Sequence, residues 1–422
     1  MPFATLGLAP ELLPAFSRAL DAAGYTAPTA IQAQAIAPIL RGDDVLACAA
    51  TGSGKTAAFA LPLLQRAALA PASRRVRGLV LVPTRELAAQ VGDTLQALGR
   101  YLPRRVKVVT VAGGASINPQ MLKLRGGADI VVATPGRLLD LVAHNAVDLG
   151  AVGTLVLDEA DRLLALGFEA ELGRILALLP RRRQTLLFSA TFPAEVEVLA
   201  RRLLRGPRRI GEDAAAAAPA TIRQRAIEVD SAQRTALLRH LLHSEAWPQA
   251  LVFVASQRGA DNLAEKLGKA GVLAQPFHGE LSQGRRNQAL AGFRSGQVQV
   301  LVATDVAARG LDIAQLPVVV NYDLPRATAD YTHRIGRTGR AGADGLAVSF
   351  VDAASEAHLR LIEKRQQLRV PRERVAGFEP TQTAAPAAAT APQTGGIKGK
   401  RPSKKDKLRA ATAQGGALPA KE

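Results

Sequence analysis

Apolar residues in this chain gather in short runs separated by longer stretches with helical spacing. In the first half, runs at 45–48, 79–82, 106–111, 130–133, 154–157 and 185–188 read as strands. They are apolar without period-two alternation, which is what a strand covered by helices on both faces requires. Strand-then-helix alternation of this kind predicts an α/β fold with a parallel sheet. The rhythm breaks at 206–221, where charge, an alanine run and a proline predict an interdomain linker; an extended helix is the alternative. A second alternating set follows at 250–254, 274–277, 300–303, 318–321 and 346–350, so a second α/β domain of similar size is expected.

The end of the chain differs in kind. From about residue 381 it is Ala, Pro, Thr and Gly, followed by the basic run KGKRPSKKDKLR at 398–409. So few apolar residues predict a disordered tail, either a solubilising appendage or an electrostatic RNA contact. The 422 residues allow about two or three domains. Their 54 Lys and Arg against 36 Asp and Glu give a net charge of +18. That excess predicts attraction to polyanions such as nucleic acid or an anionic membrane, with an arginine-rich genome as the competing explanation. The single cysteine, Cys48, excludes an intramolecular disulfide and a cysteine-built zinc site. The N-terminus lacks the pattern of a secretory signal. No apolar run approaches the ~20 residues needed to cross a bilayer. A cytoplasmic protein without a membrane partner is the expectation.

Candidate chemistry begins at Ala49–Thr56 (AATGSGKT), between a strand and a helix, the context that makes a phosphate-loop match specific. Gly52 and Gly54 let the backbone curl its N–H groups, with those of Ala50, Thr51 and Ser53, toward phosphate oxygens. The following helix directs its positive end at the same place. Lys55 would neutralise the β- and γ-phosphates and Thr56 would ligate Mg²⁺. Ala49 departs from the generic pattern, which wants glycine there. About a hundred residues on, the apolar strand at 154–157 ends in Asp158-Glu159-Ala160-Asp161. Charges at a buried strand tip are seldom left without a partner or a metal. Asp158 is placed to hold Mg²⁺ and Glu159 to deprotonate an attacking water. An acidic helix start, the alternative, suits Asp161 better. Together these features predict ATP hydrolysis.

Asp-Glu-Ala-Asp is also the name-giving motif of the DEAD-box RNA helicases, and the chain resembles that family from about Phe3 to Asp352. The resemblance is carried by GYTAPTAIQ at 24–32, AATGSGKT, PTRELAAQ at 83–90, Gly113-Gly114, TPGR at 134–137, DEAD at 158–161 and SAT at 189–191. It continues through FHGELSQGRR at 277–286, ATDVAARGLD at 303–312 and HRIGRTGR at 333–340. It implies two tandem RecA-like domains, each a parallel sheet flanked by helices: a region at 1–33 carrying the adenine-reading glutamine, 34–206 binding ATP, a linker at 207–221, a second domain at 222–375 and a basic tail at 376–422. By resemblance Gln32 reads adenine, Phe3 stacks on it with Tyr25 nearby, Arg337 and Arg340 are arginine fingers, and Asp312 contacts the nucleotide. Ala30 in place of proline and a longer Phe3-to-Gln32 interval depart from the family pattern. An N-terminal apolar anchor is the alternative for Phe3. His333 and Asp161, with Ser189 and Thr191, resemble residues that couple domain closure to RNA.

The family's RNA contacts map onto Pro83, Thr84, Arg85, Gly114, Thr134 and Arg137, then Gly279, Gln283, Arg286 and Thr304. Few aromatics accompany them, which predicts a backbone reader with little sequence preference that senses 2′-hydroxyls. The implied activity is RNA-stimulated ATP hydrolysis coupled to nonprocessive unwinding of short duplexes or remodelling of RNA–protein complexes. An ATP-gated RNA clamp and a DNA-tracking helicase are the rival readings. The short basic tail is similar to that of the RhlE-like bacterial subgroup, for which ribosome-assembly or RNA-decay proteins are the expected partners.

Overall fold

Seven of the strands build the first lobe: β1 (Val45–Cys48), β2 (Gly78–Leu81), β3 (Val108–Val111), β4 (Ile130–Ala133), β5 (Thr154–Leu157), β6 (Gln184–Ser189) and β7 (Arg208–Ile210). They pair in the order β3-β4-β2-β5-β6-β1-β7, every pair parallel. The second lobe repeats the plan with β8 (Ile222–Glu228), β9 (Ala250–Val254), β10 (Ala274–Phe277), β11 (Val300–Thr304), β12 (Val318–Asn321), β13 (Gly345–Val351) and β14 (Arg372–Glu373). Its order, β10-β11-β9-β12-β13-β8-β14, is the first order with seven added to each number. The structure, a computed structural model, describes residues 2–49, 52–71, 74–211, 222–308, 316–339 and 345–381. Ala50, Thr51, Asp312, Arg340, most of the expected linker and the basic run of the tail lie outside the described residues.

The central strands owe their place to apolarity on both faces. In β4 and β5 every residue is buried, as the unbroken runs IVVA and TLVL require. One face of the first sheet packs on the helix Lys55–Leu69, whose Phe59 ring lies 5.3 Å from that of Phe188 in β6. The other face packs on the helices Pro135–Ala143 and Ala194–Leu203 through Leu138, Leu141 and Val196.

Three strands depart from the apolar pattern. Arg208–Ile210, expected inside the linker, pairs with β1 although only Ile210 is buried, because Arg208 N–H donates to the Asp44 carbonyl. β8 (IRQRAIE) is rich in charge and polar side chains, and β14 is two residues held against it. Residues 376–381, expected in the tail, lie over the second lobe. There the Phe378 ring sits 5.3 Å from His240, and Thr381 N and Oγ1 donate to Asp230 at 2.8 and 2.6 Å. Among the described residues no helix is long and apolar enough to cross a membrane.

Candidate nucleotide and nucleic-acid sites

The expected phosphate loop leaves the C-terminal end of β1, the edge of an open parallel sheet where ligands settle. Gly52 and Gly54 adopt φ of +81° and +92°, and Gly54 caps the helix Lys55–Leu69. A Cβ on Gly54 would also lie 2.4 Å from Gln32 Nε2, so glycine is required there by both conformation and space. Gln32 is fully buried, accepts from Thr29 N at 2.9 Å and donates to the Gly54 carbonyl at 3.1 Å. It therefore braces the loop. That role has a signature the sequence does carry, Thr-x-x-Gln at a helix start, the capping box. Phe3 is buried in the core, edge-on to Tyr25 at 6.4 Å.

Lys55 Nζ donates to the Ala49 carbonyl at 2.8 Å and is buried. It is the main charge holding down the Asp158 carboxyl, which burial and the neighbouring Glu159 nonetheless push up to about 6. Asp158 is 3% exposed, and its Oδ1 accepts only the Glu159 N–H among described donors, at 2.9 Å. Glu159 stands at φ 51°, ψ 52°, a left-handed conformation that costs a non-glycine residue ~1–3 kcal/mol and clusters at functional sites. Its Oε2 is buried without a hydrogen bond, 3.4 Å from the Arg162 guanidinium. The two buried carboxyls, side by side at the strand tip, are of a kind that a divalent cation suits. Thr56 and Asp158 are the residues that could hold Mg²⁺. Among the described residues no three His, Cys, Asp or Glu side chains could cage a metal, so the ion would depend on phosphate oxygens and water.

The last residue of the DEAD sequence faces the second lobe. Asp161 Oδ2 accepts from Thr191 Oγ1 at 2.8 Å, Ser189 Oγ accepts the Asp161 N–H at 3.3 Å, and His333 Nε2 lies 3.7 Å from Oδ2. Burial and the Arg162 charge push His333 down to about 4, against the pull of Asp161 and Glu159. Arg337 is buried and lines a narrow cleft with Arg162, His333 and Arg334. Arg334, which the sequence did not single out, is a structural residue. It forks onto Asp305 at 2.5 and 2.7 Å and donates to Asn321 and the Asp323 carbonyl.

A second cluster gathers the residues expected to meet nucleic acid in the first lobe. Thr84 caps the helix Arg85–Leu98 after β2, and Thr134 Oγ1 accepts from Gly113 N at 3.3 Å. Arg137 donates to the Ala115 carbonyl at 2.9 Å. Gly114, at φ +79°, leaves room for the Arg85 guanidinium, which a Cβ would strike. From the second lobe, Gln283 opens the helix Gln283–Arg294, and Arg286, one turn along, forms an ion pair with Glu86 across the lobe boundary at 2.6 Å. Thr304 ends β11 and Gly279 follows β10. Sequence reasoning missed Glu86, whose neighbour Arg85 drew the attention. Its only signal was a charge inside an otherwise expected motif.

Residues 29–199 match the DEAD/DEAH box helicase model and residues 233–342 the helicase conserved C-terminal domain. The DEAD-box ATP-dependent RNA helicase CshA of Bacillus cereus is 40% identical over 370 residues, 88% of this chain and 69% of that protein. CshA of Bacillus subtilis is 41% identical over 355 residues, 84% of this chain and 71% of that one. Among solved structures, S. cerevisiae Dbp5 bound to RNA and ADP BeF3 is similar with a TM-score of 0.79 and 32% identity, over 88% of this chain and 95% of that chain. Two RecA-like lobes carrying these motifs, with relatives at this identity and coverage, place the chain in the DEAD-box family of ATP-dependent RNA helicases.

Proposed function

We propose that this chain hydrolyses ATP when RNA is bound and uses the cycle to open short RNA duplexes locally, without processive travel. The observation that carries the reading is that the lobes meet at both candidate sites. His333 reaches Asp161, two residues from Glu159, and Arg286 reaches Glu86, beside Arg85. A ligand that favours this contact state at one site favours it at the other, which is the linkage an RNA-stimulated ATPase needs.

In this reading the N–H groups of the 49–56 loop and Lys55 cradle the phosphates, and Thr56 and Asp158 hold Mg²⁺, which screens phosphate charge. Glu159 accepts the proton of the attacking water. Arg337 and Arg340 neutralise charge that develops on the transferred phosphoryl group. Gln32 holds the loop in shape and uses its remaining amide capacity to read adenine, while Phe3, Tyr25 and Asp312 contribute to holding the nucleotide. Asp161, Ser189, Thr191 and His333 transmit closure. The RNA backbone runs over Pro83, Thr84, Arg85, Gly114, Thr134 and Arg137, then Gly279, Gln283, Arg286 and Thr304. A bound strand held bent along this track sheds its complement, and phosphate release lets the lobes part. Ribosome assembly or RNA decay in the cytoplasm is the setting we infer, within an RhlE-like subgroup.

Phosphate release measured with and without RNA, together with displacement of a short labelled strand, tests this reading. RNA should raise turnover manyfold, and the short strand should leave only with ATP present. Turnover indifferent to RNA would overturn the enzyme reading in favour of an ATP-gated RNA clamp.

A further inference from the structure

We propose that the N-terminal edge of the first sheet, opposite the nucleotide loop, is a second RNA surface that grips the phosphates of a double-helical segment. The inference rests on the RNA-dependent function above. The approach to β2 carries Arg74 and Arg77, that to β3 carries Arg104, Arg105 and Lys107, and that to β4 carries Arg125. Backbone bonds tie these segments together around Asp129. The Asp129 carbonyl accepts from Arg77 N and Gly78 N at 3.0 and 3.1 Å, and the Lys107 carbonyl accepts from Asp129 N at 2.9 Å. Gly127 lets the Arg74 carbonyl approach so closely that a Cβ would lie 2.2 Å from it. The one buried acid here is already taken, since Asp129 accepts from Arg104 at 2.6 Å and from Lys107 N at 2.8 Å. Arg74, Arg105, Lys107 and Arg125 remain exposed, with no ion pair to a carboxylate among the described residues.

The basic residues resume beyond β5, whose approach Ala151-Val152-Gly153 carries no charge, and stop before β1, which Asp43 and Asp44 precede. Arg181, Arg182 and Arg183 precede β6, and burial together with the like charge of Arg205 lowers the Arg183 pKa. From β3 to β7 the six strand spacings span about 29 Å, a length over which a duplex displays many phosphates. A recess of about 300 Å³, lined by Arg77, Asp129 and Thr154 among others, opens on the same edge.

Arginine-rich composition alone would decorate both lobes alike, and it does not. At the same edge of the second sheet, the five residues before β9 and before β11 carry no basic residue, Lys269 before β10 is paired with Glu265, and Arg369 is the one basic residue before β14. Several second-lobe arginines are instead paired with carboxylates, as in Arg225 with Glu245 and Glu373 and Arg372 with Glu356 and Glu363. The basic residues named on this edge come with no exposed aromatic on which a base could stack. That favours a helix, whose bases are closed in and whose phosphates are regularly displayed. Strands of four residues place this edge about 13 Å from the phosphate loop's edge, so one RNA could lie on the track while its flanking helix lies here.

The test compares the full chain with its R74Q/R105Q/K107Q/R125Q variant and a charge-keeping R74K/R105K/R125K control. The probes are a short single-stranded RNA, the same strand joined to a hairpin, and phosphatidylserine vesicles. For the hairpin RNA the glutamine variant should bind at least tenfold more weakly at low salt, and its log–log salt slope should flatten by about 3–4. Binding of the short strand, and ATP turnover stimulated by it, should match the parent, as should the lysine control on both RNAs. An unchanged salt slope would overturn the proposal, as would equal losses on both RNAs with the lysine control intact. Charge-dependent capture of the vesicles without any hairpin preference would assign the surface to a membrane instead. A parent protein that no RNA stimulates would refute the function itself, independently of this surface.

Discussion

β1 and β8 open the two sheets in the same way, each leading through a loop into a helix whose first residue is basic. In the first lobe that residue is Lys55, and in the second it is Arg234. The strand ends they face are equivalent too, β5 with Asp158 and Glu159, and β12 with Asp323. The outcomes are opposite. Arg234 forks onto Asp323 at 2.9 Å and onto Asp352 at 2.6 Å, while Asp323 also accepts from Ala255 N. Burial would push Asp352 up, but the Ser355 hydroxyl and N–H and the Arg234 charge outweigh it and hold it below the usual carboxylate range. Lys55 turns to the Ala49 carbonyl, and Asp158 is pushed up to about 6. One scaffold thus yields an edge that satisfies its own charges and an edge that does not. In the proposed function the unsatisfied edge is the one that a nucleotide and its cation would complete.

That contrast can be broken residue by residue. Glu159→Gln keeps the shape and removes the proton acceptor, so RNA-stimulated turnover should fall by about 10²–10⁴ while ATP still binds. Phosphate release and nucleotide titration read the two effects separately, and turnover within threefold of the parent would remove Glu159 from the mechanism. Arg234→Ala leaves two partly buried carboxylates without their partner and should cost the second lobe about 2–3 kcal/mol. Urea unfolding should register that loss with ATP affinity little changed. If ATP binding collapsed instead, the second lobe's edge would not be merely structural. Arg286→Ala removes the bridge to Glu86 and should raise the RNA concentration needed for half-maximal ATPase roughly tenfold or less.

The smallest effect concerns pH. His333 titrates near 4 with the lobes together and near its ordinary 6.5 when exposed, so the contact state favours the neutral ring. Its stabilising contribution is complete above pH 6.5 and is lost as pH falls toward 4. Lobe closure followed by a fluorescent pair should weaken severalfold between pH 7.5 and 5.5. His333→Gln should flatten that dependence, and an unaltered pH profile would exclude His333 as its source.

The sequence made the buried strands legible because residues such as those of β4 and β5 are apolar on both faces. It did not reveal β7, β8 or β14, whose polar residues join a sheet only because a neighbouring strand offers hydrogen bonds. The phosphate loop and acidic strand end could be read from spacing, since their chemistry is local. Gln32 shows the limit of that reading, because one amide can cap a helix, brace a loop and face a ligand. Arg334 and Glu86 were invisible for another reason. Their partners, Asp305 and Arg286, are 29 and 200 positions away in sequence. Only the folded chain brings them together.

The central claim is that the first lobe's unsatisfied edge becomes an active site only when the second lobe contributes its arginine. ATP turnover by Arg337→Ala at saturating RNA tests it most directly. Turnover should drop by about 10²–10³ or more, with ATP and RNA still bound within a few fold of the parent. Turnover within threefold of the parent would contradict the claim and leave hydrolysis to the first lobe alone.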